Sequence, residues 1–170
     1  MKVGDGFEPG AVIGPLIDLK SGREGRSAYR RCGEQRRQGV TGGKRAAQGG
    51  RFFEPTVLTD VTIDMVITKE ETFGPIAPPY RFKTEADAVK MANDTEFGLA
   101  AYFHSRDIGR IWRVAEALEY GLVGINEGVI STEVAPFGGM KESGIGREGS
   151  KYGIEEFLQV KYLCMGGIDR

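Results

Sequence analysis

Two adjacent carboxylates, Glu70 and Glu71, stand just before an aromatic, a glycine and a proline, Phe73-Gly74-Pro75. An acidic pair is ordinarily a solvated surface feature. Beside a rigid turn and a ring, however, a carboxylate can be aimed at a sugar hydroxyl, which its two ionised oxygens accept by charge-assisted hydrogen bonds. Other residues invite chemistry less strongly. Gly144, Gly146 and Gly149 satisfy G-x-G-x-x-G, yet "GGMKES" precedes them where a dinucleotide fingerprint needs a buried strand. His104 is the only histidine, at the end of an apolar run, where a structural role is the ordinary one. Cys164 lies in an alternating apolar segment and reads as a small buried hydrophobe. Cys32 lies among Arg30, Arg31, Arg36 and Arg37, whose charge favours a thiolate, but no base or orienting residue stands near it in sequence.

These residues need elements to hold them. "FFEPTVL" (52–58) reads as a short strand, and "EETFGPIAPPYRF" as a turn followed by a strand that begins at Pro78-Pro79. Thr84 is a predicted N-cap with Asp87 three residues on, opening a helix to about Asn93. "GLAAYFHS" is compact and apolar, suited to a buried parallel strand. Ile108, Ile111, Ala115 and Leu118 recur at helical spacing, with Gly121 as a C′ stop, and "LVGIN" is the next buried strand. Strand, helix, strand, helix, strand predicts an α/β fold: an open parallel sheet with right-handed crossovers. The loops after Asn126 then fall at the carboxyl ends of the strands, where such sheets bind ligands. "EEFLQVKYLCM" alternates like a terminal strand in need of a partner edge, which another subunit could supply.

Composition bounds the function classes. The chain has 170 residues, is 40% hydrophobic and 28% charged, and carries a formal net charge of -1. It therefore holds enough apolar material for a core, and near-neutrality argues against a dedicated nucleic-acid or membrane-surface binder. No run approaches the roughly 20 apolar residues of a membrane span, and "MKVGDGFEPG" lacks the apolar stretch of a secretory signal. Two scattered cysteines make neither a disulfide framework nor a metal site, so a reducing cytoplasm is expected and no metal.

Three long stretches, "VGDGFEPGAVIGPLID", "KEETFGPIAP" and "VGINEGVISTEVAPFGGMKESGIGREGSKYGIEEFLQVKYLC", resemble the C-terminal part of the aldehyde dehydrogenases, within which they are most similar to the succinate-semialdehyde dehydrogenases. The resemblance implies part of that family's catalytic domain over residues 1–156, with an oligomerisation strand and tail over 157–170. It implies NAD or NADP as cofactor, succinate semialdehyde as substrate and homo-oligomers of the intact protein. By position in the motifs, Glu71 matches the acid that binds the nicotinamide ribose hydroxyls and Phe73 the aromatic packed beside that ribose. Ser131 matches a serine that helps bind the remote carboxylate of the aldehyde, and Phe137 a ring lining the aldehyde tunnel. The family's thiol nucleophile, general-base glutamate and oxyanion-hole asparagine match nothing here, so no catalytic residue is assigned. The resemblance thus implies a portion of a dehydrogenase that is inactive by itself. The alternative is a non-catalytic chain that docks onto an intact subunit through its terminal strand.

Residues 21–39 fall outside the resemblance. "SGREGRSAYRRCGEQRRQGV" (21–40) carries six arginines and little to bury, where the family has an amphipathic helix. One codon string for "GRSAYRRCGEQ", read a nucleotide out of frame, gives Val-Glu-Ala-His-Ile-Ala-Asp-Ala-Val-Ser, which has the missing apolar face. A frame slip near residue 21, compensated near Gln38 or Gly39, accounts for the stretch, and a nucleic-acid-binding Arg-Gly segment is the weaker reading because Tyr29 is its only aromatic.

Overall fold

The computed structural model describes residues 1–18 and 38–169. The expectations for residues 21–37, Cys32 among them, lie outside the described residues. The chain divides into two compact units, Met1–Arg81 and Phe82–Arg170.

The first unit is built on a three-stranded sheet in the order β1 (Gln38–Thr41), β2 (Thr56–Thr59) and β3 (Ile76–Ala77). β1 runs antiparallel to β2 with a register shift between Gly39 and Thr41, and β3 runs parallel to β2. Along β2 the pleat turns Thr56 and Leu58 inward and Val57 outward. Leu58, Val61, Met65 and Ile67 form the core, with Ile76 and Tyr80 packed against it, and the short helix α1 (Val66–Lys69) brings Ile67 into it. The one polar side chain among these buried positions, Thr56, is fully satisfied: its Oγ1 donates to the Glu54 carbonyl and accepts from the Gly43 amide, each at 2.8 Å.

Two expectations for this unit need correction. The strand foreseen at 52–58 starts only at Thr56, after Pro55; Phe53 makes an isolated bridge to Arg45. The strand foreseen from Pro78 onward instead ends before it, at Ala77. Two consecutive prolines have no N–H to give a ladder, so they stop the pairing with β2 rather than start it.

In the second unit, α2 spans Glu85–Asn93 and opens with the predicted capping box: the Asp87 amide donates to Thr84 Oγ1 and the Thr84 amide to Asp87 Oδ2, both at 3.1 Å. β5 (Ala100–Phe103), α3 (Ile108–Ala117) and β6 (Leu122–Ile125) form a parallel β-α-β unit with Ala100 opposite Leu122 and Phe103 opposite Ile125. The apolar run 98–105 is split: β4 (Phe97–Gly98) precedes β5 and pairs antiparallel with β7 (Met140–Lys141). The strands are also less buried than foreseen, with Tyr102 52% exposed, since a two-stranded sheet cannot enclose its side chains on both faces. Asp107 caps α3 through the Arg110 amide. Ile111, Val114, Ala115 and Leu118 form the half-buried face, whereas Ile108, in the first turn, is 68% exposed. Glu85 ties the two helices together by accepting from Arg110 Nε (2.9 Å) and Arg113 Nε (3.2 Å); Arg113, then Arg110, hold its carboxyl below the ordinary range.

Gly121 is not a helix C′ residue. The helix ends at Leu118 in an extended conformation, three residues earlier. A Cβ at Gly121 would instead run into the Gly138 carbonyl, so glycine is set here by a close approach of two backbones. The expected terminal strand has no partner among the described residues. After a single 3₁₀ turn at Glu155–Phe157, residues 158–166 join no ladder among the described residues, and Leu158, Val160, Tyr162, Leu163 and Met165 are exposed.

Candidate functional site

Glu71 and Phe73 lie in the first unit, on the turn that links α1 to β3. Glu70 caps α1 by donating its amide to the Val66 carbonyl. The chain then turns through Gly74, whose amide reaches the Thr72 carbonyl at 2.9 Å, while the Thr56 amide donates to the Pro75 carbonyl at 2.8 Å. The turn is thereby fastened to β2 on the side opposite its acidic end. Both candidate side chains are exposed, Phe73 at 77%. Among the described residues the Glu71 carboxylate has neither an ion-pair nor a hydrogen-bond partner. A bare ring of this size in a well-fastened turn does no packing work within its own unit.

Ser131 and Phe137 lie in the second unit, on the long loop that leaves the carboxyl end of β6. Asn126 opens this loop in the left-handed region at φ 57°, a conformation Asn tolerates. Its side chain clamps the neighbouring strand end, accepting from the Ser105 amide at 2.9 Å and donating to the Ser105 carbonyl at 2.7 Å. Glu127 folds back onto the amides of Val129 and Gly128, which lower its pKa. Ser131 follows, exposed. The loop is closed by the Ser150 amide on the Glu133 carbonyl (2.8 Å) and by a two-way backbone bridge between Phe137 and Glu148. The half-buried Phe137 lines a groove of about 660 Å³ with the glycine-rich segment, Leu99, Ile154 and Phe157.

The glycine fingerprint is a structural loop and not a phosphate turn. Only the two residues of β7 precede it, and no α-helix follows among the described residues. Its neighbours tie the unit together: Lys141 Nζ donates to the carbonyls of Asn93 (3.0 Å) and Thr95 (3.1 Å) at the end of α2 and pairs with Glu119 at 2.6 Å. Ser143 Oγ accepts from the Gly98 amide at 3.0 Å. His104 is exposed at the end of β5, on a separate groove with Lys83, Glu85 and Arg110. Cys164 is exposed on the unladdered tail, not buried as foreseen, because the strand that would have buried it pairs with nothing among the described residues. Sequence reading missed Asn126 and Lys141. Their one local signal is an Asn directly after a strand and a Lys two residues after a glycine pair.

A parallel β-α-β unit with its longest loop at the strand carboxyl ends is α/β architecture, in which that edge is the usual place for a ligand. Residues 1–163 match the aldehyde dehydrogenase family, and the chain belongs to it. It is 57% identical over 166 residues to the NADP(+)-type succinate-semialdehyde dehydrogenase GabD of Escherichia coli, covering 98% of this chain and 34% of that protein. It is 56% identical to a glutarate-semialdehyde dehydrogenase of Pseudomonas aeruginosa (99% of this chain, 35% of the relative) and 54% identical to a 3-sulfolactaldehyde dehydrogenase of Pseudomonas putida (100% and 35%). Among solved structures, the succinate-semialdehyde dehydrogenase of Burkholderia pseudomallei matches with a TM-score of 0.94 at 60% identity, over 97% of this chain and 34% of that one. A betaine aldehyde dehydrogenase of Staphylococcus aureus, solved with NAD+, matches at 0.87 and 40% identity, over 93% and 32%. The chain thus spans about a third of the length of its relatives.

Proposed function

We propose that this chain forms the cofactor-ribose contact and part of the aldehyde tunnel of a cytoplasmic NAD(P)-dependent dehydrogenase that oxidises succinate semialdehyde to succinate. The observation that carries the reading is the turn of Glu71 and Phe73, where a carboxylate without a partner among the described residues and a bare aromatic ring stand two residues apart on a fastened backbone. That pair fits a nicotinamide ribose: two carboxylate oxygens accept from two vicinal hydroxyls, and the ring covers the sugar's apolar face. A nicotinamide held there by Glu71 and Phe73 would supply the hydride acceptor. Ser131 donates to the far end of the aldehyde, and Phe137 walls its path. The names of the relatives support an aldehyde with a remote anion, since succinate semialdehyde, glutarate semialdehyde and 3-sulfolactaldehyde all carry one. The thiol that attacks the aldehyde and the glutamate that activates water belong to the part of the dehydrogenase outside these 170 residues.

A pair of variants tests this in the chain joined to the upstream two thirds of its Escherichia coli relative. Glu71→Gln is expected to raise KM for the dinucleotide, and Ser131→Ala to raise KM for succinate semialdehyde about tenfold, one charge-assisted hydrogen bond being worth roughly 1.5–3 kcal/mol. An uncharged aldehyde of the same length should feel Ser131→Ala little. Equal losses on both aldehydes would show that Ser131 shapes the pocket without reading the carboxylate.

The exposed apolar run 158–166 is the segment we assign to pairing with another subunit, as a strand added to its edge. Gel filtration should show the chain co-eluting with an intact dehydrogenase subunit and losing that association when residues 158–166 are deleted. Separate elution of the full chain would remove the assignment.

A further inference from the structure

Phe137 stands directly before two glycines, which have no side chains with which to hold a neighbouring ring in place. Its backbone is fixed on one side only: the Phe137 amide donates to the Glu148 carbonyl at 2.9 Å and the Glu148 amide to the Phe137 carbonyl at 2.7 Å. In an antiparallel ladder the next hydrogen-bonded pair would be Gly139 with Gly146. Among the described residues no backbone hydrogen bond joins these two. The Arg147 guanidinium takes that place: Nη1 donates to the Gly139 carbonyl at 2.8 Å and the Gly146 carbonyl at 2.8 Å, with the Ile145 carbonyl at 3.3 Å. Two acceptors, which cannot bond each other, are joined by one cation, and hydrogen bonds to a charged group are about twice as strong as neutral ones. The stem of the same side chain lies on Gly138, where an added Cβ would come within 2.8 Å of Arg147 Cδ. Residues 137–139 are therefore held by a bridge at one end and a guanidinium clamp at the other.

We propose that Arg147 is a positioning residue that sets the angle of Phe137 in the aldehyde path through this clamp; the proposal rests on the reading of Phe137 as a tunnel wall. The clamp acts through Phe137, with which Arg147 lines the same groove, so its loss acts on aldehyde binding of every kind and not on recognition of the remote anion. Lys is not an equivalent. Both carbonyls are met by the one nitrogen Nη1, and a lysine ammonium, though it has donors enough, is a point charge on a shorter stem and reaches them less well.

The experiment uses the chain joined to the upstream two thirds of its Escherichia coli relative. In Arg147→Met, KM should rise about fivefold to tenfold for succinate semialdehyde and for an uncharged aldehyde alike, with kcat and the dinucleotide KM changed by less than about twofold. Arg147→Lys should fall between the two, and it carries the test should Arg147→Met not fold. In a Phe137→Ala background, Arg147→Met should add less than about twofold, because contacting residues that act through one another are not additive. Full multiplication of the two effects, or an unchanged KM in Arg147→Met, overturns the clamp while leaving Phe137 in the tunnel. An unchanged KM in Phe137→Ala removes the tunnel reading, and the proposal falls with it.

Discussion

The 170-residue chain alone is expected to generate no NADH or NADPH from succinate semialdehyde. Aldehyde oxidation of this type needs a thiolate to form the hemithioacetal, a site that takes the hydride and a base that activates water against the thioester. Among the described residues the one free cysteine is Cys164, exposed on the unladdered tail. His104 belongs to a groove that Cys164 does not line. What the chain does contain, on the proposed reading, is the ribose contact and a stretch of tunnel, and these only bind. Binding groups without a nucleophile leave the reaction near its uncatalysed rate, a deficit of about a millionfold or more. Joined to the upstream two thirds of a relative, the same chain should support turnover. A dinucleotide signal from the isolated chain that disappears in Cys164→Ala or Cys32→Ala would place a working nucleophile within these residues and sink the expectation.

What the sequence discloses and what it hides differ by range. The capping box at Thr84 and Asp87 and the helical spacing of Ile111, Ala115 and Leu118 are local signals, and α2 and α3 formed where they pointed. Pro78-Pro79 is local too, but a proline pair fits either end of a strand, and only the pairing partner decides; the pairing of β3 with β2 runs out at Ala77. The ties that shape the second unit are remote in sequence. Asn126 reaches Ser105, Lys141 reaches Asn93 and Glu119, and Gly121 meets Gly138. No periodicity encodes them, and Gly121 therefore read as a helix stop. The candidate site stands apart from both cases. Nothing in charge or spacing distinguishes Ser131 from any loop serine, and it was singled out by resemblance alone. The structure puts it on an exposed loop that Asn126 and Glu127 shape, without adding a partner that would assign its role. Glu71 and Phe73 stand out by the turn beside them, and the structure adds only that both are exposed.

Gly121→Ala is expected to destabilise the chain by about 2–3 kcal/mol, the upper range for forcing an extra carbon into a closed space. At Gly121 the added methyl would meet the Gly138 carbonyl and the Gly139 backbone, not the end of a flexible side chain that could swing away. Neither partner has freedom to retreat. The Gly121 amide is bonded to the Gly98 carbonyl at 3.0 Å and the Leu122 amide to Leu99 at 3.0 Å, while Gly139 is held by Arg147. For a chain of this length the loss corresponds to a fall in Tm of about 5–10 °C. Gly128→Ala is the matched control, since an added Cβ there has open space within 4 Å, and it should stay within about 0.5 kcal/mol of the parent. The strain should also travel. Any relaxation that makes room at Gly138 moves the residue next to Phe137, so amide exchange at Phe137 and Glu148 should quicken in Gly121→Ala while the Thr84–Asp87 capping box keeps its protection. Equal melting of the Gly121→Ala and Gly128→Ala chains would mean that the two backbones do not approach as closely as the fold requires.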